Sequence, residues 1–199
     1  MNDLYKTVKS ASEGLYKEKG SKFIALAYPV KNEDEIDLHL SALRKEYHDA
    51  SHHCFAWRLG ADKEHYRIND DGEPSGSAGK PIYGQLLKRE LSDILVVVIR
   101  YFGGTLLGVG GLINAYRSAA SDALDHSEII DVKVFNQISL EFGYAQIDRV
   151  MKTVKKFQLE IDNQHFDLEC KLNVKVWKRD EKRVLEHFAK IDGCTIVDI

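Results

Sequence analysis

The sequence predicts an α+β protein with two domains, residues 1–131 and 132–199. Segments that alternate polar and apolar residues, as strands do, are interspersed with segments of helical spacing along the whole chain. One continuous apolar run rich in β-branched residues, Ile94 to Ile99, is typical of a strand covered on both faces. The segment 132–199 reads strand, helix, strand, strand, helix, strand, which is the order of the split βαβ or ferredoxin-like motif.

The chain begins with a predicted hairpin and helix. Tyr5–Ser10 and Ser21–Val30 have strand patterns, and a turn at Glu18–Gly20 could close a hairpin. Asn32 is placed as the N-cap of the first helix, with Glu35 three residues later. The apolar residues that then share one helical face are Ile36, Leu40, Leu43 and Tyr47.

A second hairpin leads into the first glycine-rich loop. His52–Leu59 and Tyr66–Asn69 are predicted strands joined around Gly60 and Asp62. The next segment, Asp70–Lys80 (DDGEPSGSAGK), contains three glycines and a proline, a composition typical of loops. Pro81 suits the first turn of a short helix that runs to about Glu90.

The second glycine-rich loop separates the apolar strand from a helix. Ile94–Tyr101 is the strand, and the loop is predicted at Phe102–Gly111 (FGGTLLGVGG). The following helix places Asn114, Arg117 and Ser118 toward solvent. Its apolar face consists of Leu112, Ala115, Tyr116, Ala119 and Ala123.

The last third contains the six elements of the second domain. Leu168, Cys170, Leu172, Val174 and Val176 alternate strictly with polar residues, as expected of a half-buried strand. The domain boundary is placed near Asp131. The predicted segments are Val132–Phe142, Ala145–Phe157, Gln158–Asp162, His165–Trp177, Asp180–Lys190 and Thr195–Ile199.

Composition narrows the class of protein. The longest apolar run is strand-sized, and the N-terminus lacks the apolar stretch of a signal peptide, so a cytoplasmic protein without a membrane partner is expected. The three cysteines are far apart and form no Cys-x-x-Cys motif, which argues against disulfides and a zinc site. With 28 basic and 31 acidic side chains, bulk charge does not attract nucleic acid, and only a local patch could bind phosphates.

A glycine-rich loop between a buried strand and a helix suits an anion. Glycines let backbone N–H groups converge on a ligand, and the helix N-terminus adds partial positive charge. The spacing of Gly103, Gly104, Gly108, Gly110 and Gly111 matches neither the dinucleotide-binding fingerprint nor a Walker A loop. The same glycines could equally serve tight turns and close packing.

The first loop offers carboxylates and hydroxyls. Asp70, Asp71 and Glu73 could hold a divalent cation, but calcium-loop spacing is absent and such residues more often cap turns, so no metal is expected. Ser75 and Ser77 lie outside a Gly-x-Ser-x-Gly motif, which leaves a hydrolase nucleophile weakly indicated.

Histidines, cations and aromatic residues near the loops complete the candidates. His52 and His53 are neighbours in a strand, so only one can share a site with the loops. Arg100 and Arg117 flank the second loop and could contact phosphates or pair with local carboxylates. Bases could stack on aromatic rings near the loop, namely Tyr101, Phe102 and Tyr116, although such rings are more often core. The basic stripe Lys152, Lys155 and Lys156 is also explained by a solvated helix face.

The amino-acid sequences of the two loops resemble those of a known family. NDDGEPSGSAGKPI at Asn69–Ile82 and VVVIRYFGGTLLGVGGLINAY at Val96–Tyr116 resemble the signature of the IMPACT/YigZ family, and KGSKFIA at Lys19–Ala25 and SHHCFAWRLG at Ser51–Gly60 agree with it. The resemblance implies an N-terminal domain with the left-handed βαβ fold found in a ribosomal protein domain and in domain four of elongation factor G. It also implies a second domain similar to the last domain of elongation factor G.

The functional expectation follows from that resemblance. Eukaryotic relatives regulate translation, partly through an additional RWD domain that these 199 residues do not contain, so their kinase pathway is not carried over. Two positions that are usually basic in the family are Leu106 and Asn114 here. The expected function is therefore a translation-linked binding protein without a cofactor, which contacts the ribosome, RNA or a translation factor through Asn69–Tyr116.

Two other classes of function remain open on the residues alone. One is an enzyme, a phosphotransferase or hydrolase that acts on a small molecule at the same loops. The other is a protein-interaction module. The candidate site residues are His53, Asp70, Asp71, Glu73, Ser75, Ser77, Lys80, Arg100, Tyr101, Gly103, Gly104, Gly108, Gly110, Gly111 and Arg117.

Overall fold

The computed structural model describes residues 3–198, which form two compact units. The first unit is Leu4–Val132, and the second comprises Asp3 together with the residues from Lys133 onward. Met1, Asn2 and Ile199, which fall within the two predicted domains, lie outside the described residues.

The first unit is built on a five-stranded sheet. The strands of this unit are β1 (Leu4–Val8), β2 (Ser12–Glu18), β3 (Ser21–Pro29), β4 (His52–Leu59), β5 (His65–Asn69), β6 (Ile94–Tyr101) and β7 (Ile129–Lys133), of which only the last residue, Lys133, falls in the second unit. Its helices are α1 (Glu33–Glu46), α2 (Gly79–Lys88) and α3 (Gly108–Asp125). The sheet order is β2-β3-β6-β4-β5, with every neighbouring pair antiparallel. Strand β1 pairs with β7 in a separate two-stranded sheet.

Helices cover both faces of the five-stranded sheet. Ile36 and Leu43 of α1 pack in one apolar cluster with odd-numbered residues of β4 and β6. The even-numbered residues of these strands pack in the other cluster with α2 and α3. Residues Ile94–Ile99 of β6 are fully buried, which confirms the strand predicted to be covered on both faces.

The cap of α1 follows the sequence prediction. The Asn32 side chain accepts a hydrogen bond from the Glu35 backbone N–H at 2.9 Å, and the Glu35 carboxylate accepts one from the Lys31 backbone N–H at 2.8 Å. These two bonds satisfy N–H groups that have no partner within the helix.

The strand prediction was incomplete at the N-terminus. Strand β2 (SEGLYKE) was missed because it is mostly polar and lies at the edge of the sheet, so it lacks an alternating apolar pattern. The hairpin is therefore formed by β2 and β3, and it turns at Lys19 and Gly20, both of which have positive φ.

Both helices next to the loops begin earlier than predicted. Helix α2 begins at Gly79, so Lys80 is helical rather than part of the loop, while Pro81 lies in the first turn as predicted. The Asp70 carboxylate accepts hydrogen bonds from the backbone N–H groups of Ala78 and Gly79, which stabilises this earlier start. Helix α3 begins at Gly108, so the predicted loop ends at Leu107 and its last three glycines are helical. Burial of Leu112 and Tyr116 against the sheet outweighs the low helix propensity of glycine.

The second unit has the element order predicted from the sequence. It consists of β8 (Phe135–Gly143), α4 (Ile147–Phe157), β9 (Glu160–His165), β10 (Glu169–Trp177), α5 (Glu181–Phe188) and β11 (Cys194–Asp198), with sheet order β11-β8-β10-β9. The strand predicted at Val132–Phe142 is divided between β7 and β8, and the strand predicted from His165 begins at Glu169. Alternate residues of β8 and β10 face α4 and α5 in the core.

No helix in the part of the chain that the structure describes is long and apolar enough to cross a membrane.

Candidate functional site

Strands β4 and β6 meet the two loops at the same end of the sheet, and alternate residues there face opposite sides of the sheet. His52 of β4 lies opposite Arg100 of β6, and both belong to the face covered by α2 and α3. His53 and Tyr101 belong to the face covered by α1, where the Tyr101 hydroxyl donates to Asp49 at 2.9 Å. The sheet therefore separates two of the predicted site residues, His53 and Tyr101, from the side chain of Arg100.

A buried ion pair joins the two loops. Arg100 Nη1 lies 2.6 Å from Glu73 Oε1, and the two side chains are only 7% and 3% exposed. The Tyr116 hydroxyl donates to the same Glu73 oxygen at 2.7 Å. Glu73 thus connects the first loop to the strand before the second loop and to the helix after it.

Aromatic rings enclose the Arg100 guanidinium. Its central carbon lies 5.5 Å from the ring centre of Phe23 and 5.6 Å from that of Phe102. The Arg100 Nε atom is buried and has no hydrogen-bond partner among the described residues. The charge is therefore held by Glu73 and by the faces of two rings.

Two further groups contact this cluster. The Cys54 thiol lies 3.4 Å from the Tyr116 hydroxyl and 3.0 Å from the Asp70 carbonyl oxygen. Burial raises the pKa of the Cys54 thiol to about 12, and burial beside Cys54 and Glu73 raises the pKa of Tyr116. Both groups are neutral at pH 7, so the charge of the cluster comes from Glu73 and Arg100.

Asp70 organises the first loop through backbone hydrogen bonds. One carboxylate oxygen accepts from the N–H groups of Ala78 and Gly79, at 3.0 and 2.8 Å, and the other accepts from Gly76 at 2.8 Å. Burial alone would raise the pKa of Asp70, but these three bonds lower it overall. Asp70 therefore caps α2 from a distance in sequence.

Asp71 attaches the same loop to β4 and α1. Its carboxylate accepts from the His53 backbone N–H at 2.7 Å and from Arg44 at 3.0 Å. Burial favours a raised pKa, but the His53 N–H and the Arg44 guanidinium lower the pKa of Asp71. All three carboxylates of the first loop are thus engaged by protein groups, and residues 3–198 contain no cluster of metal-binding side chains.

His52 is the histidine nearest to the ion pair. Its Nδ1 atom lies 2.8 Å from the Asp71 carbonyl oxygen, and because a carbonyl oxygen only accepts, this nitrogen is the donor of the hydrogen bond. Its Nε2 atom lies 3.8 Å from Glu73 Oε1, and the side chain is 25% exposed. The prediction chose His53, whose pKa is lowered by burial and by Arg44 and whose Nε2 atom is buried without a described partner.

The remaining residues of the first loop differ in exposure. Ser75 and Lys80 are exposed, and the Lys80 side chain lies against Gly76. Ser77 is fully buried, and its hydroxyl has no hydrogen-bond partner among the described residues. Neither serine hydroxyl bonds to a histidine within residues 3–198, so no nucleophile and base pair is formed here.

The glycines of the second loop serve two different purposes. A Cβ atom at Gly103 would lie 1.9 Å from the Gly20 carbonyl carbon, so close packing on the β2–β3 turn requires glycine there. Gly104 and Gly108 have φ of 82° and 71°, which also favours glycine. Gly110 has neither constraint, because its φ is not positive and a Cβ atom would meet no heavy atom within 4 Å.

Apolar side chains of the second loop are exposed, as are basic side chains on α2 and α3. Phe102, Leu106 and Val109 are 50%, 83% and 54% exposed. Arg117 is exposed on α3, about two turns after Gly110, and Lys80 is exposed at the start of α2. Among the described residues, no side chain caps helix α3, and its first turn contains no acidic residue. We call this surface, Phe102–Gly111 with Lys80 and Arg117, the loop rim.

The sequence could not identify several residues of the buried cluster. Tyr116 was predicted as core because its position in the apolar stripe gives no sign that its hydroxyl reaches Glu73. Cys54 was treated only as a cysteine to be counted, and Arg44 carried no local signal. The alternation of β4 restricted the choice to one of two histidines, but only the three-dimensional structure selects His52.

The fold and the loop rim define a two-unit α+β protein with a buried ion pair beneath an open glycine-rich surface. The family model described as "Impact N-terminal domain" matches residues 19–124, and the chain belongs to the IMPACT family. It is 35% identical over 162 residues to IMPACT family member YvyE of Bacillus subtilis, covering 81% of this chain and 75% of that protein. It is 37% identical over 131 residues to YigZ of Escherichia coli, covering 65% and 64%.

A solved structure resembles the whole chain. A crystal structure described as that of a hypothetical protein superposes with a TM-score of 0.79 at 27% identity, covering 100% of this chain and 98% of that one.

Proposed function

We propose that this protein is a translation-linked regulatory or binding protein that contacts the ribosome, RNA or a translation factor through the loop rim. Membership of the IMPACT family supports a role in translation, because the loop phrases resemble those of translation-regulating relatives. We also propose that the first unit has a left-handed βαβ fold and that the second unit has a ferredoxin-like fold.

The observation that carries the proposal is the exposed surface around Gly110. A glycine inside a helix costs about 0.5–1 kcal/mol relative to alanine, and neither packing nor backbone conformation requires it at this position. Close approach of a partner to the start of α3 is a physical reason for such a residue. The backbone N–H groups in the first turn of α3, which no described side chain caps, and the exposed cations Lys80 and Arg117 favour an anionic partner such as a phosphate backbone.

The test compares Gly110→Gln with Gly84→Gln. Both glycines are helical, and a Cβ atom at either would meet no heavy atom within 4 Å. Both variants are therefore expected to fold and to gain a little stability. Only Gly110→Gln is expected to weaken co-sedimentation with ribosomes and affinity for RNA, because only it adds a side chain to the loop rim.

Salt dependence tests the electrostatic part of the proposal. Arg117→Ala is expected to flatten the slope of RNA affinity against salt by about one phosphate contact. Lys45→Ala is the charge-matched control, since Lys45 is exposed on α1 at the opposite face of the sheet. Absence of ribosome and RNA binding by the wild-type protein at low salt would exclude those two partners and leave a translation factor as the partner that the proposal allows.

A protein partner is favoured by the apolar part of the loop rim. Leu106 is 83% exposed. The resemblance implies a basic residue at this position, so leucine makes the tip more apolar than expected. If the partner is a translation factor that uses this tip, Leu106→Lys abolishes its recovery in a pull-down while RNA binding is retained or strengthened. Equal recovery by Leu106→Lys and wild type would exclude the tip as a protein contact.

The position of His52 beside the buried ion pair favours a small-molecule enzyme. Its Nδ1 atom bonds to the Asp71 carbonyl oxygen, its Nε2 atom lies 3.8 Å from Glu73 Oε1, and the ring is partly exposed. A thermal-shift screen with nucleotides, divalent metal ions and phosphate metabolites tests this alternative, because a ligand of the folded state raises the melting temperature. A shift that disappears in His52→Ala supports the enzyme, and no shift with any compound excludes these substrate classes.

A further inference from the structure

The second unit contains a cleft lined by aromatic and basic residues. It has a volume of about 430 Å³ and lies at the end of the sheet where β8 begins and β10 ends. Phe135, Phe157 and Trp177 contribute aromatic rings, and Lys133 and Lys175 contribute ammonium groups. This volume is in the range of pockets that hold small organic groups.

The rings are held in place by the fold. Phe135 and Trp177 are directly opposite each other on β8 and β10, on the face of the sheet away from α4 and α5. The Trp177 indole N–H donates to the Asp3 carbonyl oxygen at 3.1 Å, which fixes the orientation of the ring. Phe135 is 50% exposed, and Phe157 ends α4 at the edge of the cleft. Rings available to solvent in fixed positions can stack with a planar ligand.

Cations surround these rings. Lys133 Nζ lies 4.5 Å from the ring centre of Trp177, and the Arg179 guanidinium carbon lies 5.4 Å from it. Lys156 and Arg183 lie 5.5 and 5.6 Å from the ring centre of Phe157.

Three of these cations lack a carboxylate partner. Lys133, Lys156 and Arg179 form no ion pair with a carboxylate within residues 3–198. The carboxylates near the cleft are already engaged, since Glu160 binds Lys175 at 2.8 Å and Asp180 lies 3.4 Å from Arg183. The unpaired cations favour a negatively charged ligand.

We propose that this cleft binds a short single-stranded segment of nucleic acid, with an unpaired base stacked on Phe135 or Trp177 and the adjoining phosphates contacting Lys133, Lys156 and Arg179. Stacking on aromatic rings in a basic groove is how single strands are bound without sequence specificity. An acidic peptide would engage the cations but leave the rings without a stacking partner. A duplex would keep its bases paired and inaccessible to the rings.

The site is separate from the proposed function of the first unit. Every residue that lines it belongs to the second unit, so it can be correct whether or not the loop rim binds RNA. The two proposals are distinguished by Arg117→Ala, which alters the loop rim and is expected to leave binding at the cleft unchanged.

Tryptophan fluorescence of the full-length protein reports on the cleft. The chain has two tryptophans, and Trp57 is buried at 3% exposure in the first unit, so quenching by a stacked base reports mainly on Trp177. We expect single-stranded RNA and DNA oligonucleotides to quench the emission at low salt. Inorganic polyphosphate, which has charge but no bases, is expected to bind weakly and to quench little. A preference between RNA and DNA identifies which of the two is the ligand.

Variants separate stacking from charge. In anisotropy measurements with a labelled oligonucleotide, Phe135→Ala is expected to weaken binding about tenfold or more. Lys133→Ala is expected to reduce the salt slope by about 0.7. Tyr144→Ala is the aromatic control, because Tyr144 is 69% exposed in the same unit and does not line the cleft.

Three outcomes overturn the proposal. The first is an absence of oligonucleotide binding at low salt. The second is equal loss of binding in Phe135→Ala and Tyr144→Ala. The third is polyphosphate that competes as well as the oligonucleotide, which reduces the cleft to a simple basic patch. Because Phe135 is half exposed, its truncation leaves the core intact, and unchanged circular dichroism verifies folding.

Discussion

The buried ion pair beneath the loop rim allows a sharp test by the substitution Glu73→Gln. Glutamine keeps the shape of the side chain and an oxygen that can accept from Arg100 and Tyr116. It removes the negative charge, so the buried Arg100 guanidinium loses the charge that compensates it. Both sites are nearly inaccessible to water, because the Arg100 side chain is 7% exposed and the Glu73 side chain 3%. Breaking a buried pair in this way costs about 3–5 kcal/mol.

The expected cost converts into a large change in melting temperature. For a chain of this size a loss of 1 kcal/mol lowers the melting temperature by about 2–4 °C, so Glu73→Gln should lower it by about 6–20 °C. The control is Glu128→Gln, which breaks an ion pair with Lys9 in which the side chains are 62% and 58% exposed. An exposed pair of this kind contributes at most about 1 kcal/mol.

Urea and thermal unfolding followed by circular dichroism measure both variants. Equal stability of Glu73→Gln and Glu128→Gln would refute the reasoning, since it would mean that Arg100 does not depend on Glu73. The double variant Glu73→Leu with Arg100→Met extends the test. It is expected to be more stable than Glu73→Gln, because removing both charges leaves no buried charge unpaired.

Three further predictions concern neighbouring groups. Asp70→Ala removes the cap of α2 and should cost about 1–2 kcal/mol at pH 7. Because the pKa of Asp70 is lowered in the folded state, the stability difference between Asp70→Ala and wild type should be present above pH 4 and lost as the pH falls through the folded pKa. Urea unfolding of both proteins at pH 7, 5 and 3 measures this difference. The Cys54 thiol, with its pKa raised to about 12, should resist maleimide at pH 8 until urea unfolds the first unit, and rapid native labelling would contradict its burial. Tyr116→Phe removes one hydrogen bond to Glu73 and should destabilise by about 1–2 kcal/mol, measured against Tyr66→Phe at an exposed ring.

Local patterns were sufficient for the elements with strong periodicity or caps. Strand β6 was predicted with its observed bounds because a continuous apolar run of this length, rich in β-branched residues, is typical of a strand covered on both faces. The N-cap Asn32 was identified because its hydrogen bond to Glu35 spans only three residues. Strand β2 was missed because it acquires its partner from β3 and from packing against α3, and neither is visible in its own seven residues.

The candidate site was located by the sequence but not assembled by it. The loop phrases indicated both the family and the segment Asn69–Tyr116, which contains both Glu73 and Arg100. The contact between these two residues depends on the sheet, which places β6 beside β4 and carries the first loop across its end. The same sheet moves Tyr101 and the ring of His53 to the other face.

The sequence by itself determined the family, the order of the elements in the second unit and the position of the glycine-rich loops. These properties are encoded in residues that are close together in the chain, where spacing and side-chain chemistry act directly. Only the tertiary structure decided which glycines are required by packing, which histidine adjoins Glu73, and that Phe135, Phe157 and Trp177 share a cleft. These depend on contacts between distant residues, whose free energy is gained only when the sheets and helices come together.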